Sequence, residues 1–508
     1  MPSRSAMVRP GGVMVAAAHH FLGSSPRWYK LAVAAFLVVD PLVLGLAGPV
    51  LAAWVIVAQF IFTLAMSLAC HPLPSAGLLA LEAVALGLTS PQGVFDEVQT
   101  NLSTLLLLVF MVAGVYFLRE SLLIAFTRLF LAIRHKLALS LAVVVTVALL
   151  SAFLDALTVV AVIIAVATGL YSVYHRFASQ RASDDTHDHT DDAYVHGLAR
   201  ADLDGFRAFL RNLMMHAAAG TALGGITTLV GEPQNLLIGD AVAWDFPQFF
   251  LRVAPVSVPV MVVGLLTTVL LETTGWFGYG ARLPEAVRRV LEDGVRTRAS
   301  HRDAGTTARL VVQVVVAVFL VVGLAFHLAE AGLIGLTVIV LATAFTGVVS
   351  EHAIGRAFQE ALPFAGLLVV FFAIVSMIDD QGLFTPIVQA VLAQTGTAQA
   401  VTLFGAAGAL SMVSDNVFVA SAYITQIAAA FHDGTIGREQ FELLAVAVST
   451  GTNIPSVATP NGQAAFLFLL TSPLAPLIRL GYVTMLRMAL PYALTMTAAG
   501  VAAVAWLL

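Results

Sequence analysis

An all-α polytopic membrane protein made of two inverted-topology repeats, each with a re-entrant hairpin and a broken transmembrane helix, is the fold class this sequence predicts. Three observations carry that prediction. The 508 residues are 59% hydrophobic and 11% charged, with a mean hydropathy of +0.92, whereas a soluble domain carries about 25% charged residues. Matching residues recur at an offset of 260 or 261 positions. By the positive-inside count, the first of the two segments that read as hairpins opens inward and the second outward.

At about 20 apolar residues per spanning helix, the chain has room for roughly a dozen membrane segments in one bundle. Apolar runs fall near 31–48, 50–69, 76–90, 104–118, 137–174, 206–243, 253–271, 309–328, 333–349, 364–378, 400–431, 443–478 and 488–508. Continuous runs of this kind exclude a closed β-barrel, which alternates over short strands. The single cysteine, Cys70, excludes an internal disulfide and a multi-cysteine metal or iron–sulfur site. Residues 1–30 carry Arg4, Arg9, Arg27 and Lys30 without a compact apolar stretch and cleavage site, so no removable signal peptide is expected.

Lys and Arg near helix ends stay cytoplasmic. Placing the N-terminus, 119–136, 176–211, 275–309, Arg356 and 479–487 inside puts 23 of the 25 basic residues there and leaves Arg252 and Arg438 outside. The organisation expected is a cytoplasmic segment 1–30, a first transmembrane half 31–271 whose repeat begins near 76, a cytoplasmic linker 272–308, and a second half 309–508. Glu285 to Arg298, with Val287, Val290 and Leu291 at helical spacing, reads as an amphipathic helix on the membrane surface.

The run 137–174 is flanked by Arg134 and Lys136 at one end and Arg176 and Arg181 at the other, so it enters and leaves on one side as a hairpin. Its only charge, Asp155, sits at the middle, in a stretch without the Gly, Pro or Asn of an ordinary turn. Leu108, Val109, Phe110 and Leu122 align with Val369, Val370, Phe371 and Leu383, and Ser151 and Asp155 align with Ser411 and Asp415. The second hairpin, 400–431, has arms of about 15 residues, or roughly 23 Å, short of a bilayer core of about 30 Å. Asp415, and by the repeat Asp155, are therefore expected inside the membrane.

Each hairpin is followed by a segment interrupted at its centre, by Thr228-Leu-Val-Gly231-Glu232-Pro233-Gln234-Asn235 in the first half. In the second half the interruption is Gly451-Thr452-Asn453-Ile-Pro455-Ser-Val-Ala-Thr459-Pro460-Asn461-Gly462. Pro233 and Pro460 are taken as the equivalent break points. Broken helices at membrane depth expose unpaired carbonyls and are tolerated where protein or a wet cavity satisfies them. Such carbonyls suit a small hard cation such as sodium. The side-chain oxygens expected to join them are those of Ser151, Thr158, Thr228 and Asn235 in one half, and of Ser414, Asn416, Thr452, Asn453 and Asn461 in the other. Asp155 and Asp415 are the expected sodium-binding carboxylates, and each can be neutralised by a proton or by a cation, so one group can exchange the two. Glu232 is expected either to share in cation binding or to cap its half-helix. No cofactor and no nucleic-acid partner is expected.

Five stretches carry a family resemblance. They are Phe21-Leu-Gly-Ser-Ser-Pro-Arg-Trp28, Leu150-Ser-Ala-Phe-Leu-Asp155-Ala-Leu-Thr158, Gly231-Glu-Pro-Gln-Asn235, Ser414-Asp-Asn-Val-Phe418 and Asn461-Gly-Gln-Ala-Ala-Phe-Leu-Phe468. They resemble the NhaB family of bacterial sodium/proton antiporters, over a region from about residue 20 to the C-terminus. The resemblance implies sodium, with lithium as the alternative ion, leaving the cell in electrogenic exchange for protons across the bacterial inner membrane. More distantly, the layout is similar to sodium-coupled dicarboxylate symporters, and those relatives imply a homodimer with a fixed scaffold and a moving transport unit that works as an elevator. Asp415 stands where that family has Asn, which favours proton exchange over a carboxylate-substrate site.

The remaining candidates have simpler readings. His216 is assigned to packing at the membrane interface, with pH sensing as the alternative. Asp40 and Glu82 are each assigned to helix packing, alone on their helices. The run Asp184 to Asp192 reads as a solvated cytoplasmic loop. An intramembrane aspartyl protease would carry a Gly-x-Gly-Asp string, which is absent, and an anion symporter would place cationic groups in the break and tip motifs, which contain no Lys or Arg.

Overall fold

Apolar runs with few charges fold into helices because lipid satisfies no backbone polar group, and among the described residues of the computed structural model there is no strand. The structure describes residues 20–508 apart from 68, 155, 180–187, 301–302, 327 and 395, and not the side chains of 294–300, 360 and 364. Asp155, Asp184, Asp185, His187 and the segment before residue 20 lie outside the described residues.

Six described helices are long and apolar enough to cross a membrane: Arg27–Ala47, Ala156–Ala178, Phe246–Thr274, Ala304–Ala325, Ala361–Asp380 and Tyr482–Leu507. Pro91–Thr100 and Leu102–Tyr116, bent by 60° at Asn101, make a seventh if taken as one span. The full-length spans are fewer than the dozen segments expected from apolar length. Short unwound stretches cut the longest runs at 152–154, 226–232, 412–415 and 454–463.

The described chain forms two contact units. The first contains the residues up to Glu97 together with Val369–Leu383. Its helices α1 (Arg27–Ala47), α2 (Pro49–Ala65) and α3 (Pro72–Ala85) pack through apolar and aromatic side chains, including a stack of Tyr29 on Phe62 at 6.0 Å. Asp40 and Glu82 are not alone as expected: Asp40, on α1, is fully buried and accepts from Gln59 Nε2 on α2 at 2.6 Å, and it meets Glu82 of α3.

The second unit holds Val98–Leu368 and Phe384–Leu508. Its first helical hairpin has arms Lys136–Ser151 and Ala156–Ala178, and its second has arms Thr397–Ser411 and Asn416–His432. At 1.5 Å per residue the arms are about 24, 35, 22 and 26 Å long. Only Ala156–Ala178 exceeds the bilayer core of about 30 Å, so the first hairpin is unequal where the repeat predicts two similar arms.

Each hairpin's first arm lies against the helix that precedes a break. Gly197–Gly225 meets Lys136–Ser151 so closely that a Cβ at Gly220 would lie 3.0 Å from the Val144 carbonyl oxygen, and Arg438–Asn453 meets Thr397–Ser411 so closely that a Cβ at Gly451 would lie 2.7 Å from that of Phe404. Val144 and Phe404 are 260 residues apart and Gly220 and Gly451 are 231 apart. Gly451→Ala is expected to push the arm away at a cost of about 1–3 kcal/mol, read as a lower melting temperature in detergent. Gly405→Ala, on the same arm with open space at its Cβ, serves as the unaffected control.

The run read as a solvated loop is tied down at its end. Asp192 accepts from Arg207 at 2.8 and 2.9 Å and lies 3.2 Å from both Arg200 and Arg479 and 3.3 Å from His175. Burial pushes the Asp192 carboxyl up, but the hydrogen bonds and charge of Arg207, with His175 and Arg200, outweigh it and hold the group at about 2. The folded value lies below the unfolded value of about 3.9, so this stability, about 2 kcal/mol, is present above pH 4 and lost as pH falls toward 2. Melting curves of wild type and Asp192→Asn are expected to converge over that range.

Candidate cation site

The sequence unwinds the first broken helix where β-branched residues and glycine meet a proline. Gly197–Gly225 ends at the run Ile226 to Gly231, and a new helix, Pro233–Val242, begins with proline in its first turn and Glu232 extended just before it (φ −143°, ψ 142°). In the second half, Arg438–Asn453 gives way to a short 3₁₀ turn, Pro455–Ala458, and then to Ala464–Thr471, with Gln463 extended just before it (φ −129°, ψ 115°). Glu232 and Gln463 thus occupy the same place in the two breaks, both buried.

Two further contacts recur. The Thr228 hydroxyl donates to the Ala152 carbonyl at the first hairpin tip, and the Thr459 hydroxyl donates to the Met412 carbonyl at the second. A Cβ at Gly231 would lie 2.5 Å from the Gly225 carbonyl, and one at Gly462 would lie 2.6 Å from that of Ser456. These contacts pair Thr228 with Thr459 and Gly231 with Gly462, so Pro233 corresponds to Ala464 and not to Pro460 as the sequence reading has it. The alignment of prolines fails because each proline serves a local helix start or turn, while the glycines are required by backbone approach.

The two breaks meet through amides. Asn235 donates from Nδ2 to the Gly225 and Thr228 carbonyls, both at 2.8 Å, so it ties the unwound strand together. Its Oδ1 accepts from Asn453 Nδ2 at 3.0 Å and from Ser449 Oγ at 3.4 Å. Gln234 Nε2 donates to Asn453 Oδ1 at 2.8 Å. Beside this bridge is a cavity of about 20 Å³ lined by Glu232, Gln234, Asp415, Asn416, Gly462 and Leu157, among others. That is room for one water or one small ion.

Asp415 caps Asn416–His432 by accepting from the Val417 N–H at 2.8 Å. The Asn416 amide, turned so that its nitrogen faces carbonyls, donates to Gly462 at 2.7 Å and to Thr452 at 3.2 Å. The first residues of three helices, those starting at Pro233, Asn416 and Ala464, line the cavity. Each helix start carries about +0.5 charge. Three of them set about +1.5 against the −2 of Glu232 and Asp415, leaving roughly −0.5 in the empty cavity and +0.5 with one proton or one sodium. Neither state is strongly charged, so either ion can be exchanged for the other at small electrostatic cost.

Of the residues singled out from sequence, Asp415, Glu232 and Asn416 line the cavity, and Asn235 and Asn453 form the bridge behind it. The hydroxyls of Ser151 and Thr228 are donated to the Thr221 and Ala152 carbonyls, and that of Thr452 to Val448 and Ser449 in its own helix. Ser414 is buried, with no hydrogen-bond partner for its hydroxyl, as is Ser411. Thr158 is buried near the start of the second arm of the first hairpin, and Asn461 lies in the second break next to Gly462. Asp155 lies outside the described residues.

Sequence reasoning missed Gln463, fully buried with both amide atoms unpartnered; the Thr-x-x-Gly-(Glu/Gln) spacing shared by the two breaks would have found it. It also missed the polar partners of His216. His216 is fully buried, bonded to the Tyr492 hydroxyl at 2.7 Å and to Glu272 at 2.9 Å. Glu272, assigned by sequence to the linker, belongs to Phe246–Thr274 and also accepts from Ser140 at 3.1 Å.

A family model of bacterial Na+/H+ antiporter B (NhaB) matches residues 12–508. The chain belongs to the NhaB family. The Na(+)/H(+) antiporter NhaB of Saccharophagus degradans is 58% identical over 96% of this chain and 97% of its own, and that of Vibrio cholerae is 57% identical over 96% and 92%. A solved structure of Neisseria gonorrhoeae MtrF, 14% identical, covers 81% of this chain and 84% of its own at a TM-score of 0.43, too distant to carry an argument. The NhaB match runs through both hairpins and both breaks, so every residue around the cavity falls inside it.

Proposed function

We propose that this chain is a secondary transporter that exchanges cytoplasmic sodium for external protons, with Asp415 and Glu232 as the groups that hold one ion or the other in turn. The observation that carries this reading is the ion-sized cavity where two carboxylates face the starts of three helices, in a chain of the NhaB family. With no Lys or Arg among the cavity residues, the reading favours a cation over a carboxylate substrate and leaves the anion-symporter alternative without a binding group. Family membership likewise leaves the protease alternative without support.

The finer reading rests on the same residues. The recurrence of backbone contacts at Gly220 and Gly451, and of Thr–carbonyl bonds at both tips, supports two repeats, and the positive-inside count, which opens the first hairpin inward and the second outward, supports inverted topology. Beside the broken helices, the two short arms of the second hairpin and the short first arm of the first support re-entrant hairpins, with Asp155 at the first tip as the counterpart of Asp415. In this reading the protein lies in the bacterial inner membrane with its N-terminus in the cytoplasm, works as a homodimer, moves its transport unit as an elevator, accepts lithium in place of sodium and carries net charge.

The test is reconstitution into proteoliposomes with a pH-sensitive dye inside. Sodium added against a pH gradient is expected to drive proton movement that potassium does not, and valinomycin with potassium is expected to change the rate if exchange is electrogenic. Sodium-dependent dicarboxylate uptake without proton exchange would overturn the proposal.

A further inference from the structure

The first unit holds a polar group that the transport reading does not use. Asp40 lies mid-way along α1, fully buried, and Gln59 on α2 is 6% exposed. Gln59 Nε2 donates to Asp40 Oδ1 at 2.6 Å, and the carboxyl groups of Asp40 and Glu82 face each other in hydrogen-bonding contact. Three oxygens of this group, Asp40 Oδ2, Gln59 Oε1 and Glu82 Oε2, are buried without a hydrogen-bond partner. Pro41, next to Asp40 inside α1, has no N–H to return to the Leu37 carbonyl, so one more oxygen is freed in the same turn.

Two carboxyl groups in contact inside an apolar helix cluster cannot both be ionised unless a positive charge lies between them. The helices packed here supply none. Neither α2 nor α3 carries a Lys, Arg or His, and the basic residues of α1, Arg27 and Lys30, lie 13 and 10 positions before Asp40, or about 20 and 15 Å along the axis. His71 stands before the first turn of α3, where its Nδ1 accepts from Leu73 N. Among the described residues, the rest of the unit adds His20, Asp96 and Glu97 outside these three helices, and Asp379 and Asp380 in Val369–Leu383. With no Lys or Arg on α2 or α3 and none near Asp40 on α1, a proton or an ion from solution is the positive charge the pair calls for, and the three unpartnered atoms are all oxygens, the ligand type of a hard monovalent cation. Glu82 is only half-buried, which leaves a route from the surface.

We propose that Asp40, Glu82 and Gln59 form a second exchange site in the first unit, holding either one shared proton or one sodium ion. The site does not depend on where the transport site lies, because Asp40, Gln59 and Glu82 all belong to the first unit.

The test is equilibrium binding, not transport. Purified protein in detergent and weak buffer with a pH dye is titrated with sodium, in wild type, Asp415→Asn, and Asp415→Asn combined with Asp40→Asn. Displacement of the shared proton is expected to release about one proton per chain in Asp415→Asn, with none released once Asp40→Asn is added. Infrared spectra of Asp415→Asn are expected to lose a protonated-carboxyl stretch on sodium addition, which a purely structural shared proton would keep. An Asp415→Asn protein that releases no proton, or a release that survives Asp40→Asn, overturns the second site. If Asp40→Asn does not fold, Glu82→Gln carries the same comparison, since it removes the second carboxyl and leaves the Gln59–Asp40 bond; release unchanged in that variant also overturns the proposal. Failure of the transport reading shows separately, as proton exchange in liposomes that survives Asp415→Asn.

Discussion

Replacing Asp415 by Asn is expected to stop sodium-dependent proton movement, lowering it by more than about 100-fold, beyond the 10–100-fold loss typical of groups one shell out from a metal ligand. The variant is expected to fold and insert. Asn keeps the size of Asp and a side-chain oxygen to accept from the Val417 N–H, so the cap on Asn416–His432 survives. What disappears is a group that can take up and release a proton, which an amide cannot do. The charge balance of the cavity moves the same way: with Glu232 alone against three helix starts, an empty cavity is already at about +0.5 and a bound sodium would raise it to about +1.5. The dye assay in proteoliposomes reads the loss, and a monodisperse size-exclusion peak with wild-type melting shows that it is not misfolding. Exchange retained at the normal rate would move the proton-carrying role to Glu232 or Asp155.

The parts of this site legible in the sequence are those whose chemistry is local. Gly231 and Pro233 stand beside a β-branched run and Pro455 between Asn453 and Ser456, and the short arm Thr397–Ser411 falls short of a bilayer core, so the breaks and the tip at Asp415 followed from neighbouring residues alone. The register between the two breaks did not. It depends on Gly231 and Gly462 lying against backbone, a contact with no trace in residue type, whereas proline is conspicuous and misled the alignment by four positions, from Ala464 to Pro460. Gln463 escaped for the same reason, since an amide in an apolar run is unremarked until its counterpart, Glu232, is known. Tertiary partners were the other blind spot. His216 meets Glu272 across 56 residues and Tyr492 across 276, and Asp40 meets Glu82 from two helices away. Each looks solitary on its own helix, and only packing reveals the second group.

Apparent sodium affinity is expected to fall about tenfold for each unit of pH on the acid side of the exchanging carboxylate's titration, and to become independent of pH on the alkaline side. The cavity holds about 20 Å³, enough for one ion and too little for a hydronium and a sodium together. If Asp415 and Glu232 are the exchanging groups, the two ions compete there, and by linkage each weakens the other by the same factor. Saturating sodium overcomes competition, so the maximal rate should change less than the affinity does. The bridge of Gln234, Asn235 and Asn453 contains no group that titrates near neutral pH, which confines the pH dependence to the carboxylates. Replacing residues 183–189 by Gly and Ser is expected to leave the dependence intact; Asp192 is kept because it holds Arg207 and its neighbours in place. The measurement is half-saturating sodium concentration against pH for both proteins. A value in wild type that does not move with pH would remove competition as the coupling mechanism, and one that moves only when His187 and His189 are present would place the sensing in the loop.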